Sequence, residues 1–361
     1  MKIGIVTYHR AHNYGAVMQA LATRFVLEEM GHEVYYVDYW PDYHKEMYAL
    51  FPRKRFKKFN ILQKAKFLLL LFIHYKSKKR RINNFEAFFK EHIYPYCRPV
   101  EESYDIVIYG SDQIWRKQKA LGTYNPFYFG QNDLNTKRHI SYAASMGIIT
   151  YDESDKQSLK KYLSHLNYIS VRETDLKKLV EELGYNCIQS LDPTLLLNRE
   201  QWASLIDIRP TISEKYVLYY KLLGNSFEEQ TIKTFAKERN LILITLYGSA
   251  NKETEERITT ASPQRMLSLI NGAEYVFTSS YHGMVFSIIF HKPFYAAFMK
   301  NSGRARSLLS ELGLLDRLLE PKSLIPRNES VIDFEKTDRI LESKRKPSLE
   351  YLRKSISEKC M

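Results

Sequence analysis

Segments with the apolar pattern of buried strands alternate with segments of helical period along this chain, in two successive blocks. The first block opens with KIGIVTY, continues with a helix predicted from about Ala16 to Met30, and returns to a strand at GHEVYYVDY. The second block begins near residue 214 with KYVLYYKL and repeats the alternation as far as GRARSLLSELG. Strands that alternate with helices form parallel sheets covered by helices. The sequence therefore predicts an α/β protein with two doubly wound domains that face each other across a cleft.

The length of 361 residues agrees with two domains, since a single hydrophobic core seldom grows to that size. A polar stretch near residues 198–214 is the expected boundary. We assign an N-terminal Rossmann-like domain to residues 1–205, a C-terminal Rossmann-like domain to 206–330, and a helical tail to 331–361. The tail is expected to pack back on the N-terminal domain. In the second block, Ser226 is the expected N-cap of a helix.

The basic charge of the chain is concentrated in one segment. Net charge is +13, and residues 51–85 contain twelve basic and no acidic residues, so the rest of the chain is close to neutral. Within this segment, residues 67–73 read FLLLLFI, far short of the about 20 apolar residues that span a bilayer. Two interpretations stay open: a segment resting on an anionic membrane surface, and a solvated helical insertion whose apolar side packs on its own domain. Nucleic acid is not expected as a partner, because no recognition motif accompanies the charge.

Cysteine spacing and missing motifs exclude several classes of chemistry. Cys97, Cys187 and Cys360 lie far apart in sequence and match no disulfide or metal spacing, which favours a reducing compartment. The N-terminal apolar run is too short for a secretory signal, so we expect a cytoplasmic protein. The chain has no Walker A loop, no GxGxxG after its first strand, and no HExxH, paired CxxC or GxSxG motif. No metal site is expected.

The stretch TSSYHGMVFSIIF, residues 278–290, sets a histidine between a predicted strand and an apolar helix. His282 would lie at the carboxyl end of the strand, where open parallel sheets bind ligands. Gly283 would let a ligand approach the backbone, and the helix N-terminus favours a phosphate or carboxylate. His282 would then bind the anion or transfer a proton; the alternative is a capping or packed histidine. Ser279 and Ser280 are candidate ligand donors or helix caps.

More polar side chains stand where predicted strands end, helices begin or the chain turns. Arg172, in ISVRETD, could bind a carboxylate or phosphate in a bidentate manner. The alternative is a surface salt bridge to a neighbouring acidic residue. Asp112, in YGSDQIW, is a candidate base or sugar ligand, although an Asx turn has the same pattern. Arg304 and Arg306 stand at the start of a helix as a second candidate anion site. Asp192, in LDPT, is interpreted as part of a turn.

The remaining candidate substrate contacts lie in the loops after the first strand and after the DIVIY strand: Asn13, Tyr14, Gly15, Gln19, Gly110 and Ser111. Gln19 is about one helical turn beyond Gly15 and would face the same cleft. The alternative is structural, with Asn13 capping the helix and Gly15 easing the turn.

Seven fragments in order along residues 2–315 carry a family resemblance: GIVTYHRAHNYGAVMQALAT, GHEVYYVDY, VIYGSDQIW, SYAASMG, ISVRETD, DPTLLL and TSSYHGMVFSIIFHKPF. Together they resemble the polysaccharide pyruvyl transferase family. The resemblance implies a GT-B-like fold, in which two Rossmann-like domains face across a cleft. It also implies transfer of a pyruvyl group from phosphoenolpyruvate (PEP) to two hydroxyls of one sugar, forming a cyclic ketal in a bacterial capsular polysaccharide or exopolysaccharide.

The resemblance also implies roles for particular residues. In the family, an arginine and a histidine of the kinds found at Arg172 and His282 are tied to donor binding and catalysis. Many members read RxHG where this chain reads SSYHG, which removes one cationic contact. The C-terminal domain is the expected PEP side and the N-terminal domain the expected acceptor side, with Asp112 as the expected base. PEP is then a co-substrate, the acceptor is a glycan that is free or lipid-linked, and no cofactor is expected.

Two alternative functions stay open. A GT-B glycosyltransferase that uses a nucleotide sugar would share the fold, but it should carry an acidic residue for the ribose near the helix after YHG, and FSIIFHKPF offers none. A non-catalytic member of the family would instead bind glycans or partner proteins at a membrane surface. The location consistent with these interpretations is the cytoplasm, with residues 51–85 as a candidate peripheral contact at the inner face of the plasma membrane.

Overall fold

Two five-stranded parallel sheets, one in each half of the chain, organise the computed structural model of this protein. The structure describes residues 1–147, 150–222, 229–248, 254, 256–298, 303–320, 325 and 330–358. The expected helix cap Ser226 lies outside the described residues.

The main sheet of the first half has the strand order β3-β2-β1-β5-β7, and all neighbouring strands are parallel. The strands of this half are β1 (Lys2–Val6), β2 (Glu33–Val37), β3 (Cys97–Arg98), β4 (Ser103–Tyr104), β5 (Ile106–Tyr109), β6 (Asn135–Thr136), β7 (His139–Ser141), β8 (Ser170–Val171) and β9 (Ile188–Gln189). Its helices are α1 (Tyr14–Glu29), α2 (Asp42–Tyr48), α3 (Arg53–Lys57), α4 (Ile61–His92), α5 (Glu153–Leu163), α6 (Thr174–Glu182) and α7 (Arg199–Leu205).

The sheet of the second half repeats this plan, with the parallel order β12-β11-β10-β13-β14. Its strands are β10 (Tyr216–Lys221), β11 (Ile242–Tyr247), β12 (Arg257–Ile258), β13 (Tyr275–Thr278) and β14 (Phe294–Ala296). The helices that follow are α8 (Glu229–Glu238), α9 (Pro263–Gly272), α10 (Tyr281–Ile289), α11 (Gly303–Glu311) and α12 (Phe334–Ser357). Two Rossmann-like units in succession confirm the predicted α/β, GT-B-like fold class.

Helix α1 follows the central strand β1 and lies between the two halves. It begins at Tyr14, two residues before the predicted start, because the side chain of Asn13 caps it by accepting a hydrogen bond from the backbone N–H of Ala16 at 3.3 Å. The Tyr14 hydroxyl donates to the carbonyl oxygen of Ala261 in the second half at 2.8 Å, and accepts from Arg81 of α4 at 2.8 Å. Arg81 also donates to the carbonyl oxygen of Thr259 at 3.1 Å. These buried bonds tie both halves to α4.

The C-terminal helix α12 contacts both halves. Near its end, Arg138 donates to the carbonyl oxygens of Ser355 and Ile356, and the Tyr351 hydroxyl donates to the carbonyl oxygen of Ser141 at 2.8 Å. Near its middle, α12 faces α11 through an ion pair between Lys344 and Glu311. The helix therefore closes one side of the junction between the halves.

Helix α4 corrects one expectation for residues 51–85. Its second half is buried at Phe85, Phe88 and Phe89, but Ile61 and Phe72 in its first half are each 84% exposed. The expectation that the apolar side packs on its own domain is therefore wrong for the first half of the helix, because no element of the described structure covers that side. Among the described residues, no helix combines the length and the apolar character needed to cross a membrane.

Candidate active site

A cavity of about 630 Å³ lies where the two halves of the chain meet α12. The first half contributes the turn from β8 into α6 and the segment after β9, and the second half contributes the starts of α10 and α11. Segments that follow parallel strands are where α/β proteins bind ligands. The charged and aromatic residues of the lining include Arg172, Glu173, Asp192, Tyr281, Arg304 and Lys344.

Arg172 is buried at the end of β8 and bonds through all three of its guanidinium nitrogens. Nε donates to Glu173 at 3.1 Å, Nη1 to Asp192 at 2.7 Å, and Nη2 to the hydroxyl of Ser145 at 2.9 Å. Burial opposes the charge of Arg172, but the two carboxylates outweigh burial and raise its pKa. A guanidinium has five N–H groups, so these three bonds leave two for a ligand. The arginine is held in a fixed orientation at the wall of the cavity.

Asp192 is the fully buried residue on which the two halves converge. Its Oδ2 accepts from Gln19 of α1 at 2.6 Å and from Arg172 at 2.7 Å, and lies 3.5 Å from Nε2 of His282 in the second half. Its Oδ1 accepts from the backbone N–H and the hydroxyl of Thr194. Burial alone would raise the pKa of Asp192, but the contacts with His282 and Arg172 outweigh burial and lower it. The side chain is therefore a carboxylate.

His282 occupies the first turn of α10 and reaches across to α1. A side-chain carbon at Gly15 would lie 2.0 Å from Nδ1 of His282, so the ring occupies the space that glycine leaves open. Its Nε2 is buried and has no hydrogen-bond partner among the described residues; at 3.5 Å, the carboxylate of Asp192 is at ion-pair distance. The capping interpretation of His282 is wrong, because Ser280 caps α10.

Tyr281 and Arg304 form the second-half wall of the cavity. The guanidinium carbon of Arg304 lies 5.1 Å from the centre of the Tyr281 ring, and that of Arg172 lies 5.6 Å from it. Arg304 approaches Glu173 at 3.9 Å, beyond ordinary hydrogen-bond length. Burial and the charge of Arg172 lower the pKa of Arg304. Two cations thus stand beside one aromatic ring, and Arg304 is the more weakly paired.

The two serines and the glycine around His282 use their polar atoms within the fold. Ser279 accepts from the backbone N–H of Leu222 at 3.0 Å, and Ser280 accepts from that of Gly283 at 3.2 Å. A side-chain carbon at Gly283 would lie 2.3 Å from the hydroxyl of Thr278. Capping and packing therefore explain why Ser279, Ser280 and Gly283 stand at these positions, and direct contact with a ligand does not.

The candidates at the start of α1 fall into two groups, residues that support the fold and residues that contact the polar groups of the site. Asn13 caps the helix, and Tyr14 is buried in the contact between the halves. Gly15 and Gln19 do belong to the site, but they touch its histidine and its aspartate rather than open space in the cavity. Asn13 and Tyr14 position α1, whereas Gly15 and Gln19 position the polar groups of the cavity.

The loop after β5 carries three candidates, and none of them belongs to the lining of the cavity. Ser111 is fully buried and donates to the carbonyl oxygen of Ala143 at 2.8 Å, and Gly110 has φ of +134°, a conformation that glycine tolerates. Both are structural. Asp112 accepts from the backbone N–H of the next residue, Gln113, at 2.8 Å, whereas an Asx turn would use the N–H two residues on. Its negative charge nevertheless contributes to the pKa of each arginine of the cavity.

Three functional positions escaped prediction or were underrated. Asp192 does begin a turn, as interpreted, but it is also the common partner of the site. Glu173 binds Arg172 and accepts from Ser145 at 2.6 Å. Tyr281 adjoins His282 in sequence. The signal that could have found Asp192 and Glu173 is their position just after the short strands β9 and β8, at the edge that also carries Arg172.

A group of potential metal ligands lies outside the cavity. Atoms of His9, Asp38 and Cys97 lie within 4.8 Å of one another. Arg10 already pairs with Asp38 at 2.8 Å, and burial is the main cause that raises the pKa of the Cys97 thiol to about 12. The carboxylate is thus already paired with a cation, and we propose no metal for this group.

The fold and the cavity together define an α/β protein with two Rossmann-like units and a candidate site between them that carries two arginines. The family model described as polysaccharide pyruvyl transferase matches residues 13–297, and the chain belongs to this family. The family membership confirms the resemblance of the sequence fragments.

Comparisons with individual proteins add only a general likeness of fold. Among curated proteins, none matches the sequence. Similar solved structures include a putative UDP-N-acetylglucosamine 2-epimerase from Listeria monocytogenes, with 10% identity, a TM-score of 0.46, and coverage of 98% of this chain and 91% of that one. Another is the E. coli heptosyltransferase WaaC with ADP, with 14% identity, a TM-score of 0.40, and coverage of 95% and 100%. Likeness of this degree says nothing about the substrate.

Proposed function

We propose that this protein transfers a pyruvyl group from PEP to two hydroxyls of one sugar in a cell-surface polysaccharide repeat unit, forming a cyclic ketal. Membership of the polysaccharide pyruvyl transferase family supports the class of reaction. The observation that carries the assignment to this cavity is the convergence of Arg172 from the first half and His282 from the second on Asp192, which lines the cavity although His282 itself does not. A site assembled from both halves is suited to joining a donor and an acceptor.

PEP carries a carboxylate and a phosphate, and the cavity offers two arginines. Arg172 keeps two N–H groups for a ligand, and Arg304 has only a 3.9 Å approach to Glu173 as its carboxylate partner among the described residues. An anionic group of the donor would take the place of Glu173 as the partner of Arg304, in a charge-assisted bond. Arg304 is thus the residue that the geometry favours for binding PEP, and Arg172 is a second cation held in a fixed orientation.

The proposed chemistry runs in two additions. A sugar hydroxyl adds to C2 of PEP and gives its proton to the base, while an acid protonates C3 and so converts the methylene into a methyl group. The C2–O bond to phosphate then breaks, and the second hydroxyl of the sugar closes the ketal while its proton leaves with a base. His282 is the proposed acid; its Nε2 faces Asp192 at 3.5 Å and makes no hydrogen bond to a described residue. Asp192 holds the histidine in place, and Asp112 stays the proposed base.

The test is turnover of PEP in the presence of free and lipid-linked glycans. The expected products are inorganic phosphate and a glycan whose mass has risen by one pyruvyl ketal, and both should be lost in His282→Ala while the protein stays folded. Binding of a nucleotide sugar with no binding of PEP would instead identify a glycosyltransferase. Glycan binding that is equal in wild type and His282→Ala, with no turnover in either, would identify a non-catalytic member of the family.

A further inference from the structure

One side of the first half of α4 is apolar and faces away from the protein. Its residues recur at spacings of three, four and seven, which places them on one side of a helix. We call this surface the outer face of α4, and it consists of Ile61, Leu62, Leu68, Leu69, Phe72 and Ile73. These side chains are between 48% and 84% exposed. A contiguous exposed apolar surface of this kind marks an interaction site.

The opposite side of the same helix is already packed. The ring of Phe67 lies 5.5 Å from that of Phe56 and 5.6 Å from that of Phe51, in a small aromatic cluster between α3 and α4. The cluster holds α3 against α4 and fixes which side of α4 turns outward. The outer face is therefore a built surface, presented by a helix whose inner side is occupied.

Positive charge is concentrated in the segment that carries the outer face. Arg53, Lys57 and Lys58 precede it on and after α3, and Lys66 and Lys76 lie on α4 itself; all five side chains are exposed. Residues 51–85 contain no acidic residue to balance them. A segment that combines exposed apolar side chains with exposed lysine and arginine matches the boundary between acyl chains and anionic headgroups.

We propose that the outer face of α4 docks on an anionic membrane surface, with the apolar side chains entering the headgroup region and the basic residues contacting lipid phosphates. Charge decides between this occupant and a second copy of the chain. Two copies paired through this face would bring the same positive charges together with no acidic residue of residues 51–85 to neutralise them. A bilayer that contains phosphatidylglycerol supplies both the apolar layer and the negative charge.

Docking through α4 would orient the cleft relative to the membrane. The C-terminal part of α4 is bonded to both halves of the protein. Its Arg81 donates to the hydroxyl of Tyr14 in the first half and to the carbonyl oxygen of Thr259 in the second. Tyr14 begins α1, the helix that carries Gly15 and Gln19 to the site. The outer face of α4 and helix α1 are thus connected through the hydrogen bond between Arg81 and Tyr14.

The experiment is co-flotation of the full chain with vesicles of one part phosphatidylglycerol to two parts phosphatidylcholine, and with vesicles of phosphatidylcholine alone. We expect binding to the anionic vesicles that weakens as salt is raised. The double variant Leu69→Glu/Phe72→Glu should abolish binding. The triple variant Lys57→Gln/Lys58→Gln/Lys66→Gln should lower the partition coefficient by roughly two orders of magnitude, at about fivefold for each basic residue.

A matched control adds acidic residues at exposed apolar positions elsewhere. Leu121 is 47% and Val331 is 95% exposed, and Leu121→Glu/Val331→Glu should float as the wild type does. Equal binding to neutral and anionic vesicles, or no binding to either, would overturn the proposal. Dimers in sedimentation velocity that Leu69→Glu/Phe72→Glu dissociates would show that a second copy covers the face. Turnover of PEP with a free glycan should be the same in all these variants, which keeps this test separate from that of the proposed reaction.

Discussion

Gly15 and His282 meet across the junction between the two halves, and the histidine ring occupies the space where any other residue at position 15 would place its side chain. A carbon there would lie 2.0 Å from Nδ1 of His282, so even one methyl group must displace the ring. The contact explains why a glycine stands in the first turn of α1, where helix propensity disfavours it.

Gly15→Ala is therefore expected to lower turnover strongly while the protein stays folded. A shift of the histidine by about 1 Å can reduce a reaction rate by about a hundredfold. Steady-state release of phosphate from PEP measures the effect. Asn13→Ala is the matched control on the same helix: it removes the α1 cap, at a cost of about 1 kcal/mol in unfolding free energy, and should leave turnover near the wild-type value. A Gly15→Ala protein with unchanged turnover would contradict the positioning role of this contact.

Asp192→Asn tests the residue on which the site converges. Breaking a buried ion pair by neutralising one partner costs about 3–5 kcal/mol, because Arg172 would keep its charge with one carboxylate fewer. We expect a large loss of unfolding free energy in chemical denaturation at neutral pH, together with loss of turnover. The exposed Asp207, paired with Arg209, is the matched control, and Asp207→Asn should change stability little.

The same variant should alter how stability depends on pH. The pKa of Asp192 is lowered in the folded protein, so its contribution is complete above the unfolded pKa of about 3.9 and is lost as pH falls below that value. The difference in unfolding free energy between wild type and Asp192→Asn should therefore be constant near neutral pH and shrink below about pH 4. A difference that stays constant in acid would show that the carboxylate charge is not what stabilises the site.

Arg304→Ala should weaken the binding of PEP. A hydrogen bond to a charged group contributes about 1.5–3 kcal/mol, so we expect the dissociation constant to rise roughly ten- to a hundredfold in calorimetry. Arg306→Ala is the control on the same helix, because Arg306 is exposed and pairs with Glu320. Equal affinities of the two variants for PEP would show that Arg304 does not bind PEP.

The positions of Arg172, His282 and Arg304 could be predicted because each follows a strand or begins a helix, and those junctions are visible in the local apolar pattern. The role of Asp192 could not be predicted in the same way. Its sequence neighbours specify only a turn, while Gln19 is 173 positions away and His282 belongs to the other half. Long-range convergence of this kind depends on how the two sheets are set against each other.

The outer face of α4 shows a second limit of sequence patterns. Periodicity predicts that apolar residues share one side of a helix, but it does not say whether that side turns toward the core. Here the Phe67 side packs against α3 and the side with Leu69 and Phe72 is exposed. The absence of acidic residues in 51–85 was the better guide, because twelve like charges are difficult to place against a protein core.

Arg81→Ala should separate the role of α4 in stability from its role in docking. The guanidinium is buried and donates to the Tyr14 hydroxyl and to the carbonyl oxygens of Thr259 and Gly248. Removing it deletes these three charge-assisted hydrogen bonds, which contribute about 1.5–3 kcal/mol each, so we expect unfolding at a clearly lower denaturant concentration. Lys79→Ala, two residues earlier on α4 and exposed, should unfold at the wild-type denaturant concentration. If both variants unfold alike, α4 is not what joins the two halves.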